Sequence, residues 1–148
     1  MISGDPNVPE TIMPASVVTR GIDHVGLTVR NLEASRQFFT ECLGWTVFGE
    51  NKGYPAAYVT DGTSKITLWQ VADVNQYAEF DRKQAVGLHH LALKVGSLDD
   101  LHALFARVKD WPGVVVEFAP EPSGAGPKIH AMLAEPGGTR MELSFDPR

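Results

Sequence analysis

Three residues of this sequence, His24, His90 and Glu142, have the types and the placement that metal-assisted chemistry requires. Glu142 stands between Met141 and Leu143, in a predicted strand that we expect to be half buried. A carboxylate that points into a core is costly unless it is paired or bound to a metal. Two neutral imidazoles and one carboxylate hold a divalent ion with open coordination positions, and the remaining positive charge can polarise a substrate oxygen. We therefore predict a metal site, with Glu142 as both ligand and catalytic residue.

An internal repeat places the two histidines at equivalent positions. Residues 21–29 and 87–95 have similar apolar patterns, and His90 follows His24 by 66 residues. Each segment is typical of a buried strand that leads, after one polar capping residue, into a helix. Two strand–helix units of this kind indicate two halves of one domain, related by pseudo-symmetry.

The predicted elements follow the same order in both halves. The first half has a strand at about residues 19–29, a helix that begins after Asn31 and ends at Gly44, and strands at residues 45–48, 56–60 and 65–71. The second half has a strand at residues 88–95, a helix opened by Ser97, and strands at residues 114–118, 129–134 and 140–145. This order predicts an α+β fold, in which two βαβββ modules related by pseudo-symmetry form a curved mixed sheet around one cavity.

The same pattern sets the domain boundaries. Residues 1–18 contain three prolines and little apolar periodicity, which predicts a flexible N-terminal arm or an arm laid on a neighbouring subunit. Residues 19–146 are expected to form a single domain, because a chain of 148 residues fits one core. Within it, module one spans residues 19–71, a polar linker spans 72–86, and module two spans 87–146.

The composition excludes several classes of partner and location. The formal net charge of −5 argues against a nucleic-acid partner, because no basic stripe is present to neutralise phosphates. Cys42 is the only cysteine, which excludes an intrachain disulfide framework and a multi-cysteine metal site. No run approaches the roughly 18 apolar residues that span a membrane, and the N-terminus lacks the pattern of a secretory signal. We expect a cytoplasmic protein that binds a small molecule.

Three motifs resemble the vicinal oxygen chelate superfamily, which contains glyoxalase I, methylmalonyl-CoA epimerase, extradiol dioxygenases and the fosfomycin and bleomycin resistance proteins. The motifs are residues 23–29 (DHVGLTV), 88–93 (LHHLAL) and 135–143 (EPGGTRMEL). The resemblance implies a metal site that takes one residue from the first and last strand of each module. At the matching positions the chain has His24, Thr67, His90 and Glu142. Thr67 departs from the pattern, since glyoxalase I has Glu there and the epimerases usually have Gln.

The resemblance implies a divalent metal ion held by His24, His90 and Glu142, with Fe, Ni, Zn, Mn and Co not distinguished. It implies a glyoxalase-like enzyme of lyase or isomerase type, in which the ion chelates and polarises a small oxygenated substrate. One alternative is an Fe(II) extradiol-type dioxygenase, which also uses two histidines and one glutamate. Another is a non-catalytic binding or resistance protein that keeps the fold and has lost the metal, so catalysis itself stays open. We expect a homodimer.

Four further residues are candidates for contact with the substrate. Thr67 faces the predicted cavity, and Trp69 shares its strand face because strand side chains alternate. Tyr58 and His130 are the other two candidates. Core filling is the competing explanation for the aromatic residues, and a core position is the competing explanation for His130. His89 alternates to the face opposite His90 and is expected to be structural.

Overall fold

The computed structural model describes Pro6, Asn7 and residues 15–148, so most of the predicted N-terminal arm lies outside the described residues. Residues 15–18 are exposed and have no regular secondary structure. The elements are β1 (Val25–Val29), α1 (Leu32–Gln37) continued by a π-helical turn (Phe38–Cys42), β2 (Thr46–Asn51), β3 (Ala56–Thr60), β4 (Lys65–Gln70), β5 (Leu91–Lys94), α2 (Leu98–Val108), β6 (Val115–Pro122), β7 (Ile129–Ala134) and β8 (Arg140–Phe145). Within the described residues, no helix has the length and apolar character needed to cross a membrane.

The strands form two four-stranded mixed sheets with the same topology. Their orders are β1-β4-β3-β2 and β5-β8-β7-β6, and β1 and β5 each run parallel to the last strand of their module. The registers are also equivalent, because Gly26 pairs with Thr67 and Ala92 pairs with Glu142. The predicted α+β fold of two βαβββ modules is therefore confirmed. Thr67 and Glu142 occupy corresponding positions in the two modules.

The first strand of each module begins later than predicted. The predicted strands at residues 19–29 and 88–95 begin at Val25 and Leu91, so each of the two histidines lies just before a strand. In the first module the reason is the partner strand, which begins only at Lys65. The chain before it turns at Asp61, whose carboxylate accepts hydrogen bonds from the backbone N–H groups of residues 63 and 64. The backbone of that turn has no strand-like hydrogen-bonding groups with which residues before Val25 could pair.

Both helices begin at the predicted caps and pack against the sheets. The Asn31 side chain accepts a hydrogen bond from the N–H of Ala34, and the Ser97 hydroxyl accepts one from the N–H of Asp100. A single cluster of buried side chains contains residues of both modules, among them Leu27, Val29, Phe38, Phe39, Leu68, Leu101, Val108, Leu133, Met141 and Leu143. The opposite faces of the two sheets, which carry Thr67 and Glu142, are left for the site. That residues 19–146 unfold as one domain stays a prediction.

A buried glutamate joins the two modules. Glu135 is 1% exposed, and its carboxyl group accepts hydrogen bonds from the Ser35 hydroxyl (2.9 Å), the N–H of Gly137 (2.7 Å) and the N–H of Thr139 (3.1 Å). The N–H of Arg30 donates to the carbonyl of Gly137 at 3.0 Å. A Cβ atom at Gly137 would lie 2.0 Å from the Ser35 hydroxyl oxygen, so a larger residue does not fit. The β7–β8 turn is thereby fixed against the first module.

We expect Ser35→Ala to lower the free energy of unfolding by about 1–3 kcal/mol, because it removes a buried donor to the Glu135 carboxyl group. Urea unfolding at neutral pH measures this change. The control is Ser64→Ala at an exposed turn, which should alter stability by no more than about 0.5 kcal/mol. Equal stability of the two variants would contradict the structural role of the Ser35–Glu135 contact.

Candidate functional site

Glu142 on β8 is the centre of the candidate site. It is 5% exposed, and it lies on the sheet face opposite the core. Its Oε1 atom accepts a hydrogen bond from Nδ1 of His130 at 2.7 Å and lies 3.4 Å from Nζ of Lys128. Its Oε2 atom lies 3.2 Å from Nε2 of His90. Both carboxylate oxygens therefore have nitrogen neighbours, as a buried carboxylate requires.

The surroundings of Glu142 favour its ionised form. Burial alone would raise the pKa of the Glu142 carboxyl group. The hydrogen bond from His130 and the positive charge of Lys128 outweigh burial, and the pKa lies below the 4.5 of an ordinary glutamate. Glu142 is thus a carboxylate at neutral pH, and the ammonium group of Lys128 balances its charge.

A second set of contacts orients His90. Its Nδ1 atom lies 2.7 Å from Nδ1 of His89, and the same atom of His89 lies 3.3 Å from the Arg140 guanidinium group. Arg140 is held in turn by two hydrogen bonds to Glu117, of 2.6 and 2.9 Å. Partial desolvation of the His89 ring lowers its pKa, and the charge of Arg140 lowers it further. A neutral His89 can share a proton with His90 and fix the orientation of that ring.

The contacts described for His24 do not include the Glu142 cluster, which is formed by Glu142, His90, Lys128 and His130. Its side chain is 52% exposed, and its Nδ1 atom lies 2.7 Å from a carboxylate oxygen of Asp23. Within the part of the chain that the structure describes, no group of three or more His, Cys, Asp or Glu side chains has the arrangement to hold a metal ion. One copy of the chain therefore brings together two of the three predicted ligands, His90 and Glu142.

The other predicted substrate contacts divide between the two modules. His130 belongs to the Glu142 cluster, whereas Thr67, Trp69 and Tyr58 lie together on the first sheet. The Trp69 indole N–H donates to the Thr67 hydroxyl at 2.9 Å. The Trp69 ring packs at 5.9 Å from that of Tyr58 and at 4.7 Å from that of Tyr54, which is half exposed. The first-module counterpart of Glu142 is thus a threonine beneath an aromatic layer.

A large cavity lies elsewhere, at the junction of the modules and the linker. It has a volume of about 760 Å³ and is lined by residues 26–30, 77–82 and 137–140, with Val71, Leu88, Glu117 and Ala134. None of the predicted site residues lines it. Two ion pairs lie among its walls, Arg140 with Glu117 and, at 4.0 Å, Arg30 with Glu79. We place the candidate site at Glu142, where a buried carboxylate meets imidazoles and an ammonium group.

Two residues of the cluster were not among the sequence-based candidates. Lys128 directly precedes β7, and no pattern in the sequence indicates its contact with Glu142. His89 lies beside His90 rather than on the opposite face, because both residues precede β5 and strand alternation does not apply to them.

Comparison with known proteins gives one family and a common fold. The family model described as Glyoxalase/Bleomycin resistance protein/Dioxygenase superfamily matches residues 21–143. A structure of a glyoxylase/bleomycin resistance protein/dioxygenase domain from Frankia sp. EAN1pec is 24% identical, with 88% of this chain and 94% of that chain covered and a TM-score of 0.73. A glyoxalase family protein from Enterococcus faecalis is 23% identical over 84% of this chain and 97% of its own, with a TM-score of 0.67. Lactoylglutathione lyase from Agrobacterium tumefaciens is 16% identical over 87% of this chain and 96% of its own, with a TM-score of 0.65. These identities show a shared fold, and no curated protein matches the chain.

Glu142→Gln should reduce the loss of folding stability that occurs when the pH is lowered. Because the pKa of Glu142 is lowered in the folded chain, its stabilising contribution is present above pH 4.5 and is lost as the pH falls through the folded-state pKa. Urea unfolding of both proteins between about pH 7 and pH 3 measures this contribution. The variant should be less stable at pH 7 and should lose less stability on acidification. Profiles that stay parallel at every pH would contradict the lowered pKa.

Proposed function

The chain belongs to the Glyoxalase/Bleomycin resistance protein/Dioxygenase superfamily, and we propose that it is a metal-dependent enzyme of the glyoxalase type that acts on a small oxygenated molecule. The observation that carries this proposal is the buried carboxylate of Glu142 beside His90. His24, His90 and Glu142 are the proposed ligands of a divalent ion. Such an ion, when bound, supplies a Lewis acid for a substrate oxygen. The proposed reaction is of lyase or isomerase type.

The donor atoms of His90 and Glu142 suit a divalent ion. Imidazole nitrogen together with carboxylate oxygen is a common set for first-row metals. Glu142 is anchored on a central strand, and His90 is oriented through its other ring nitrogen by His89. Metal-bound histidines are typically held in this way by a second hydrogen bond. These two residues therefore fit a metal ion, and a third ligand has to come from outside the cluster.

We propose that a second copy of the chain supplies the third ligand, so that the enzyme is a homodimer. Residues 15–24, which lead to His24, are exposed throughout and include Val17, Val18 and Ile22, the last of which is 82% exposed. Apolar side chains exposed in this way are typical of a surface that another molecule covers. In the dimer, His24 of one copy would complete the set formed by His90 and Glu142 of the other.

The residues of this chain have distinct proposed roles around the substrate. Glu142 is ionised at neutral pH and is the proposed proton acceptor. His130, whose Nδ1 atom donates a hydrogen bond to Oε1 of Glu142 at 2.7 Å, is proposed to hold the carboxylate in position for that step. Thr67, Trp69 and Tyr58 are the proposed wall on the first-module side, where packed rings exclude water.

A non-catalytic binding protein of the same fold is the second candidate. It is favoured by the contact between Lys128 and Glu142, which balances the carboxylate charge without an ion. An Fe(II) extradiol-type dioxygenase shares the proposed ligand set of two histidines and one glutamate. Iron retention and ring cleavage of catechol would distinguish the dioxygenase from the isomerase-type enzyme.

Metal binding should depend on Glu142. After reconstitution with Mn²⁺ or Zn²⁺ and dialysis, Glu142→Gln should bind the ion at least about tenfold more weakly than the unmodified chain, because it loses the anionic ligand. The matched control is Glu121→Gln on β6, an exposed glutamate of the same module, which should retain metal fully. Elemental analysis and isothermal titration measure both variants. Equal affinity in the three proteins would exclude Glu142 as a ligand.

Mixing two defective variants tests the proposed dimer. His24→Ala and Glu142→Gln should each bind little metal alone. After subunit exchange in a 1:1 mixture, half of the dimers are mixed, and one of their two sites is intact, so about a quarter of the sites should bind metal again. Metal content after dialysis measures the recovery. A mixture that binds no more metal than its components would contradict a site built from two copies.

A further inference from the structure

The space between β1, residues 77–82 of the linker and residues 137–140, which we term the junction cavity, has a volume of about 760 Å³. Small-molecule sites typically measure roughly 300–1,000 Å³ and combine apolar walls with a few polar groups. Phe80 and Leu88 line the cavity and are 43% and 44% exposed, so an apolar molecule bound there would cover them. The charged lining includes three arginines, Arg30, Arg82 and Arg140. The junction cavity therefore has the size and the lining of a site for a small organic molecule.

The three arginines differ in how firmly they are held. Arg140 donates two hydrogen bonds to Glu117, of 2.6 and 2.9 Å. Arg30 lies 4.0 Å from Glu79, whose side chain is 69% exposed, and a long, exposed ion pair contributes little. Within the described residues, no hydrogen bond or ion pair holds the guanidinium group of Arg82. The hydrogen bond from Arg140 lowers the pKa of Glu117, and the charges of Arg140 and Arg82 lower it further, so Arg82 lies on the same side of the cavity. Arg82 is thus a cation of the lining that can pair with an added anion.

The linker presents Arg82 from a hydrogen-bonded turn. The carboxylate of Asp81 accepts a hydrogen bond from the N–H of Lys83 at 2.9 Å, so this anion belongs to the turn that carries Arg82. The Phe80 ring packs over Gly87, where a Cβ atom would lie 3.0 Å from the ring. These contacts fix the linker wall of the cavity in place, and they leave the charge of Arg82 unopposed by its nearest acidic neighbour.

A further wall of the cavity is the free edge of β1. This strand pairs with β4 alone. The Val29 carbonyl accepts a hydrogen bond on the β4 side, whereas the N–H of Arg30 donates away from β4, to the carbonyl of Gly137. Because the backbone groups of successive strand residues point to opposite edges, the N–H groups of Gly26 and Thr28 lie on the same free edge as that of Arg30. Both residues line the cavity, so their N–H groups are available to a ligand.

We propose that the junction cavity binds a small organic anion, and that Arg82 pairs with its carboxylate or other anionic oxygen group. Charge-assisted hydrogen bonds from a guanidinium group suit such an anion. Arg30 can exchange the exposed carboxylate of Glu79 for the same group, and the N–H groups of Gly26 and Thr28 donate to polar atoms of the ligand. The apolar body of the ligand packs on the linker wall. This site uses no metal ion and none of the residues of the Glu142 cluster, so it is independent of the proposed function.

Two fluorescent probes test the site on the unmodified chain in the presence of a metal chelator. 8-Anilinonaphthalene-1-sulfonate and N-phenyl-1-naphthylamine have the same rings and differ by one sulfonate. We expect tighter binding of the sulfonate probe. Arg82→Met should weaken its binding about fivefold and leave the binding of the uncharged probe unchanged, because only the ion pair is lost. The matched control is Lys83→Met, which removes a charge from a neighbouring residue outside the cavity and should change neither affinity.

Ala78→Trp tests where the probes bind. Ala78 is exposed and lines the cavity, so an indole ring fills the space without entering the core, and both probes should bind about tenfold more weakly. The control is Ala72→Trp, at an exposed linker position outside the cavity, which should have no effect. Unchanged binding in Ala78→Trp, or no binding of either probe to the unmodified chain, overturns the cavity as a ligand site. Equal effects of Arg82→Met on the two probes, or no effect on either, overturn the pairing of Arg82 with an anion. Because no ion is present, these outcomes leave the proposed metal site unaffected.

Discussion

The carboxylate of Glu142 is buried on a sheet face, and side chains of the second module stabilise its negative charge. His130 and Lys128 reach one oxygen from β7 and the loop before it, and His90 reaches the other from the segment before β5. The flanking side chains of β8, Met141 and Leu143, are fully buried on the opposite face. One strand therefore serves the core and the site at once, so the packing of the core sets the position of the carboxylate.

The two modules share a topology and differ in chemistry. The position of Glu142 corresponds to Thr67 in the first module, where a hydroxyl group and packed aromatic rings replace the charged cluster. A second buried glutamate, Glu135, shows the other way to satisfy such a group. It is held by a serine hydroxyl and two backbone N–H groups, with no cation among its hydrogen-bond donors, and it joins the modules. Glu142, whose partners are titratable side chains, is therefore the better candidate of the two for proton transfer and metal binding.

The sequence pattern predicted those features of the structure that depend on residues close together in the chain. The order of elements, the caps at Asn31 and Ser97 and the equivalence of Thr67 and Glu142 follow from periodicity and from the repeat, and the structure has all of them. Strand ends were predicted less well, because the start of β1 depends on where its partner strand begins. The distance of His24 from Glu142 depends on how the two modules pack, which the pattern within each repeat does not encode. The contact of Lys128 with Glu142 does not follow from the sequence pattern, because a lysine before a strand is usually solvated.

The proposed site depends on one claim, which is that a divalent ion binds at the carboxylate of Glu142 with histidines of both modules around it. Anomalous diffraction from crystals soaked with Zn²⁺, collected on either side of the zinc absorption edge, tests this claim most directly. We expect a single strong anomalous peak within bonding distance of Glu142 and His90, with His24 of a second copy as a further ligand. The absence of a peak at Glu142, at a Zn²⁺ concentration that saturates surface histidines, would contradict it.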